Sequence, residues 1–147
     1  MRVMQTLVTS YADHQAEIMA VRETVFVREQ GVPAELEMDD RDPECCHVLA
    51  LDGDKAVGTG RIDLQKHGKI GRLAVLKAYR GQGVGRLLME ALETLARQHG
   101  IPSIQLSAQV TALPFYEKLG YEVISEEYMD AGISHRTMRK ALTERNG

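Results

Sequence analysis

The chain has 147 residues, with 44% apolar and 27% charged side chains and a formal net charge of −3. That length suits one domain spanning 1–147, which can bury roughly 68–70% of its unfolded surface without covalent staples. The charge argues against a nucleic-acid binder built on phosphate contacts, and no stretch reaches the roughly 18 apolar residues of a membrane span.

Val3 to Thr9 reads as a first strand. Asp13 or a neighbour caps a helix from about His14 to Gln30, on which Ile18, Val21, Val25 and Phe26 share a face. Gly31-Val32-Pro33 ends it. The first ten residues hold one arginine and no long apolar run, so no signal peptide is expected. Glu35 to Glu44 is an acidic, turn-rich connection. Cys45 and Cys46 are adjacent, too poorly placed for a mutual disulfide, and read as reduced thiols of a cytoplasmic protein.

Cys46 to Leu51 and Lys55 to Asp63 form a hairpin about the turn Asp52-Gly53-Asp54. Gly58 and Gly60 predict a bend or a close approach of another backbone. Lys69 to Val75 is the next strand. Val84, Leu87, Leu88, Ala91, Leu92, Leu95 and Ala96 give one apolar stripe on a helix that Gly100 and Pro102 stop. Ile104 to Ala108 is a strand, Thr111 to Leu119 a short helix closed by Gly120. Tyr121 to Ile124 and Ser134 to Arg139 are the last strands. The order predicts a mixed sheet with helices packed on it, and a crossover unit from Lys69 to Ala108.

The segment Arg80-Gly81-Gln82-Gly83-Val84-Gly85 lies at the start of the strongest helix. A helix start offers unpaired N–H groups and the positive end of the dipole, which together suit a phosphate. Glycines let oxygen atoms reach the backbone, and Arg80 and Arg86 add positive charge. A P-loop is excluded because no lysine–hydroxyl pair follows the glycines. A dinucleotide fingerprint is excluded because the spacing is G-x-G-x-G, in mid-chain. The residues alone therefore specify a phosphate-bearing ligand or a plain glycine-rich turn.

The neighbouring motifs resemble those of the GNAT acetyltransferase superfamily. The strand Ile70-Gly71-Arg72-Leu73-Ala74-Val75 precedes the glycine segment, and Ala112 with Phe115-Tyr116-Glu117-Lys118-Leu119-Gly120-Tyr121 is similar to the family's second motif. Arg22 to Pro33, the acidic run and Asp130 to His135 resemble one small bacterial branch, similar in plan to glucosamine-phosphate N-acetyltransferases. Gln109 stands where many members carry asparagine.

The resemblance implies an α+β fold, with a mixed, mostly antiparallel sheet of six to seven strands and about four helices on its faces. It implies acetyl-CoA as donor, no metal, and transfer to a primary amine of a small molecule such as glucosamine 6-phosphate. A protein lysine acceptor and a non-catalytic acetyl-CoA-binding module are the alternatives. Backbone groups of Leu73, Ala74 and Val75 would hold the pantetheine arm on a strand that splays from its neighbour. Arg80, Gly81, Gln82, Gly83, Val84, Gly85 and Arg86 would hold the pyrophosphate. Tyr116 would protonate the departing thiolate, since a phenol with pKa near ~10 is a donor at neutral pH. Glu29, Glu37 and His135 remain open as the base. The acidic run either steers a cationic amine or is a solvated loop. Dimerisation follows from family likeness alone.

Overall fold

A computed structural model describes residues 4–142. Val3, placed in the first strand by the sequence, lies outside the described residues. The strands are β1 Met4–Ser10, β2 Cys46–Asp52, β3 Lys55–Asp63, β4 Lys69–Val75, β5 Ser103–Gln109, β6 Glu122–Val123, β7 Tyr128–Asp130 and β8 Ile133–Ala141. They join in one sheet, in the order β1-β2-β3-β4-β5-β8-β6, with β7 paired to β8. The eighth strand, beyond the six to seven expected, is the three-residue β7. It is too short to leave a periodic trace. No helix among the described residues is long and apolar enough to cross a membrane.

The helices are α1 Gln15–Arg22, α2 Ala34–Glu37, α3 Val84–Gln98 and α4 Leu113–Lys118. The apolar stripe of α3 does what its spacing predicts. Leu88, Leu92 and Ala96 are fully buried against Val48, Ile62, Ile70, Ile104 and Met138 of the sheet. Gly58 and Gly60 permit this contact. A Cβ on Gly58 would lie 3.0 Å from Leu88 Cδ1, and one on Gly60 would lie 3.0 Å from Leu92 Cδ1. The opposite face of the sheet receives α1, through Ile18 against Leu49 and Val21 against Ala74.

The helix expected over 14–30 divides. After Arg22 the chain winds as a π-helix over Glu23–Glu29. Apolar spacing of three or four residues does not distinguish an α-turn from the wider π-turn, so residue type carries no warning of it. Asp13 does not cap it. His14 occupies the N-cap position and makes no side-chain cap bond.

The acidic connection is the larger correction: Glu37 and Asp42 are buried, at 3% and 1% exposure. Arg22, fully buried, donates from Nε to Glu37 Oε2 at 2.8 Å and from Nη1 to Asp42 Oδ1 at 2.7 Å. Arg61 donates to Asp42 Oδ1 at 2.7 Å and to Asp39 Oδ1 at 2.8 Å. Asp42 thus bridges two guanidiniums. Burial pushes its carboxyl pKa up, but the hydrogen bonds and charges of Arg22 and Arg61 outweigh that and hold it below the ordinary value. Hydrogen bonding to Arg61 depresses Asp39 further still. The run is neither a solvated loop nor a bare negative field. Three of its carboxylates close an ion-pair cluster that clamps α2 and the following turn onto the sheet.

Breaking such a cluster from one side leaves buried charge without a partner, which costs about 3–5 kcal/mol. Arg22→Ala is expected to lose stability of that order in denaturant unfolding. Because Asp39 and Asp42 titrate lower in the folded chain, their contribution is complete above the unfolded carboxylate value near ~3.9 and is lost as pH falls below it. Stability of the wild type should therefore drop steeply below about pH 4, and that acid dependence should be shallower in Arg22→Ala.

Candidate active site

β4 and β5 are parallel neighbours, but only Lys69 and Ile70 pair, with Gln105 and Leu106. Beyond Ile70 the two strands part. On the other edge of β4, Gly71 pairs with Arg61 and Ala74 with Thr59. Arg72 and Leu73 therefore face the single residue Gly60, which is a β-bulge. Arg72 sits in the left-handed region at φ 51°, a conformation uncommon for a non-glycine residue. The bulge turns its guanidinium onto the acidic run, where Nη2 donates to the Glu37 carbonyl at 2.9 Å.

A cleft of about 1010 Å³ follows the gap between the strands. Leu73, Ala74, Val75, Arg80, Gly81, Gly83, Val84, Gly85 and Arg86 all line it, as do Glu37, Tyr116 and His135. Gln82 is the member of the glycine segment that turns away, its side chain donating to the Ala78 carbonyl at 3.1 Å. Glu29 lies outside the lining.

The glycines answer two different constraints. Gly81 and Gly83 have φ of 76° and 82° with nothing near a hypothetical Cβ, so their demand is conformational. Gly83 is the N-cap residue of α3. Gly85 has an ordinary backbone, but a Cβ there would lie 3.0 Å from Phe115 Cζ. That contact brings the start of α3 against α4, the helix that carries Tyr116. The N–H groups of the first turn of α3 have no intrahelical acceptor, and Val84, Gly85 and Arg86 of that turn line the cleft.

Both arginines of the loop already have carboxylate partners. Arg80 donates from Nη1 and Nη2 to Glu29 at 2.6 and 2.7 Å, and from Nε to the Val75 carbonyl at 3.0 Å. Hydrogen bonding to Arg80 lowers the pKa of Glu29. Arg86 donates to Glu90 Oε1 at 3.0 Å. The carbonyl of Val75, one of the backbone groups expected to face a ligand, is therefore engaged by Arg80.

Tyr116 is wedged edge-on between Phe115 and Tyr121, at centroid distances of 5.0 and 5.9 Å. Gly120, at φ 96°, lets the chain reverse after α4. Tyr121 then folds back and donates to Glu93 Oε2 of α3 at 2.9 Å. The second motif is thus a mount for the Tyr116 ring. Burial raises the phenol pKa to about 12, and its hydroxyl has no hydrogen-bond partner among the described residues.

His135 lies on β8, with Nδ1 2.7 Å from the Ile133 carbonyl oxygen. A carbonyl only accepts, so Nδ1 carries the proton and Nε2 keeps its lone pair in the neutral ring. The ring stacks on Tyr128 at 6.2 Å. Tyr128 is in turn anchored at its hydroxyl by Ser107 Oγ and Thr137 Oγ1. Gln109 donates to Gln30 Oε1 at 2.8 Å, tying the end of β5 to the end of the π-helix. Glu37 Oε2 is held by Arg22 at 2.8 Å and by Arg72 at 3.3 Å. Arg72, Gln30 and Tyr128 escaped the sequence reading. Arg72 lies within the recognised motif, but nothing in residue type marks its left-handed backbone.

A splayed parallel strand pair beside a glycine-capped helix defines the acyl-CoA N-acyltransferase fold. An acyl-CoA N-acyltransferase from Pseudomonas aeruginosa has this fold at a TM-score of 0.84 and 29% identity, over 95% of this chain and 100% of that one. Escherichia coli ElaA has it at 0.83 and 27%, over 94% and 99%. The uncharacterized N-acetyltransferase YjcF of Bacillus subtilis (strain 168) is 44% identical over 139 residues, 93% of this chain and 99% of its own. Residues 8–142 match the model of the acetyltransferase (GNAT) domain. The chain belongs to the GNAT acetyltransferase family.

Gly85→Ala is expected to displace the Phe115 ring and to destabilise by roughly 1–3 kcal/mol, the ordinary range for overpacking. Adding Phe115→Leu should recover part of that loss in thermal or denaturant unfolding. Additive losses in the double variant would show that the contact does not limit the site.

Proposed function

We propose that this chain transfers the acetyl group of acetyl-CoA directly to a primary amine of a small molecule, with an amino sugar phosphate such as glucosamine 6-phosphate among the candidate acceptors. The observation that carries the reading is Tyr116. Its buried phenol lines the cleft between the splayed strands, keeps its proton, and has no hydrogen-bond partner among the described residues.

An acceptor amine must lose a proton before it can attack the thioester carbon. His135 Nε2 is the best-placed acceptor for that proton, directly or through water, because Nδ1 is fixed as a donor to Ile133. The amine nitrogen then forms a bond to the acyl carbon. The tetrahedral adduct gives its second nitrogen proton to solvent and collapses by breaking the carbon–sulfur bond, while Tyr116 donates a proton to the leaving sulfur and regains one from solvent. An amide and CoA result. Glu37 is a poor base in this setting, since its carboxylate oxygen Oε2 already accepts from two arginines. Glu29 serves Arg80 and stands outside the lining.

The first turn of α3 and the glycines before it would take the pyrophosphate through backbone N–H groups. The unpaired edge of β4 would take the pantetheine arm. A non-catalytic acetyl-CoA-binding module would not need the unpartnered Tyr116 hydroxyl.

Tyr116→Phe is expected to lower kcat by roughly 10²-fold or more, the usual scale of general acid catalysis, with the KM for acetyl-CoA within about twofold of wild type. Wild-type kcat in the variant overturns the role. Because burial holds the phenol protonated up to about 12, ionisation of Tyr116 should not depress the rate at any pH below 10. A basic limb near pH 8 that vanished in Tyr116→Phe would contradict the assignment.

Glu29→Gln separates the two roles open to Glu29. Exposed ion pairs contribute about 0–1 kcal/mol. Freeing Arg80 should therefore tighten acetyl-CoA binding up to about fivefold and leave kcat nearly unchanged. A large loss of kcat at unchanged CoA affinity would instead make Glu29 the base.

A further inference from the structure

We infer that the acceptor is an amine that also bears an anionic group, carboxylate or phosphate, and that Lys66, Lys69 and Arg41 receive that group at the end of the cleft remote from the glycine loop. The inference rests on the reading of the cleft as an acetyl-transfer site, and it reverses the expectation that the acidic run draws a simple cation.

The acidic residues at this end are already matched. Asp63 accepts from Arg41 Nε at 2.7 Å and Nη2 at 3.0 Å. Asp39 is bound by Arg61 and Arg72, and Glu37 by Arg22 and Arg72. Lys66 and Lys69 line the same cleft with no carboxylate partner among the described residues. Two exposed cations are thus left over at the edge of this cleft, in a chain whose net charge is −3. Arg41 and Arg72 also keep donors in reserve. Among the described residues, no hydrogen bond is made by Nη1 of either.

The opposite side of the strand gap has the reverse character. Asp130, at the end of β7, lines the cleft with no arginine partner among the described residues; it pairs with Ile133 and lies two residues from Tyr128, the cross-strand neighbour of His135 on β8. An acceptor with its ammonium group toward Asp130 and His135, and its anion toward Lys66 and Lys69, would match both ends. A purely cationic acceptor such as a polyamine would place charge against the lysines. A neutral amine would leave them without a partner.

Matched acceptor pairs test this. Glucosamine 6-phosphate is compared with glucosamine, and 4-aminobutyrate with butylamine. Each is assayed for CoA release by free-thiol detection, and for binding by thermal shift in saturating CoA. Two charge-assisted contacts to an anion should give the anionic member of at least one pair roughly a tenfold or greater advantage in KM and in binding. Lys66→Gln/Lys69→Gln should erase that advantage and leave the KM for acetyl-CoA unchanged. Preference for phosphate alone or carboxylate alone identifies the source of the anion.

Equal or better use of the neutral members overturns the inference while leaving acetyl transfer standing. So does a double variant that keeps the preference. Anion-selective binding without CoA release, or transfer only to anionic acceptors, supports it. In the former case acetyl transfer is what fails. Absence of binding by all four probes overturns it.

Discussion

The cluster joining Arg22, Arg61 and Arg72 to Glu37, Asp39 and Asp42 is the constraint on which the rest of this structure depends. Carboxylates at these depths are tolerated only where guanidiniums replace the lost water. Each arginine comes from a different part of the chain, on α1, β3 and β4. The segment carrying the carboxylates is therefore pinned to the sheet at three points. Its backbone is fixed too, since His47 Nε2 donates to the Asp42 carbonyl at 2.9 Å. Burial keeps that histidine's pKa low, so it serves as a neutral donor and adds no further charge.

A second constraint is a set of hydrogen bonds that are not made. β4 abandons β5 after Ile70, and the cleft is the space this leaves. Two features hold the strands apart. The bulge at Arg72 turns the path of β4, and the guanidinium it projects is fastened to the ion-pair cluster. Gly58 and Gly60 let α3 press directly on β3 from the other face. The start of α3 thereby comes level with the open end of the gap. The ion pairs, the bulge and the glycines are one arrangement, because all three act on β3 and β4 beside the same opening.

Much of this was legible in the sequence where residue type and spacing determine structure. The stripe from Val84 to Ala96 fixed α3, while the turn at Asp52-Gly53-Asp54 and the apolar members Ile70, Leu73 and Val75 marked β3 and β4 at the residues observed. The glycine segment was legible as a phosphate-suited helix start, and the Tyr116 motif through its resemblance to the GNAT superfamily; Gly81 and Gly83 answer a local demand for positive φ, Gly85 a contact with Phe115. What escaped depended on partners far along the chain. Glu37 and Asp42 look like solvated residues until Arg22 is known to reach them from 15 and 20 positions away. The π-turn after Arg22 keeps the apolar spacing of an α-helix. The three candidate bases could not be ranked from sequence, because their difference lies in what occupies each side chain: Arg80 for Glu29, Arg22 and Arg72 for Glu37, one backbone carbonyl for His135.

The same point about partners changes how the glycine loop should be understood. Arg80 and Arg86 were natural candidates for a phosphate contact by charge alone. Both hold carboxylates, one bidentate and one along the helix at i,i+4. A pyrophosphate arriving at the loop must displace Glu29 or Glu90, or share their arginines. The charge it gains from either is partly cancelled at close range. The backbone N–H groups at the start of α3 carry no such competitor. On the proposed reading, attraction between a phosphate and this loop would rest first on main-chain geometry, set by Gly81 and Gly83. The arginine charges enter only to the extent that Glu29 and Glu90 give them up. An exposed pair yields readily in water, so the Arg80–Glu29 bridge, which ties the loop to the end of the π-helix, would not bar a phosphate from it.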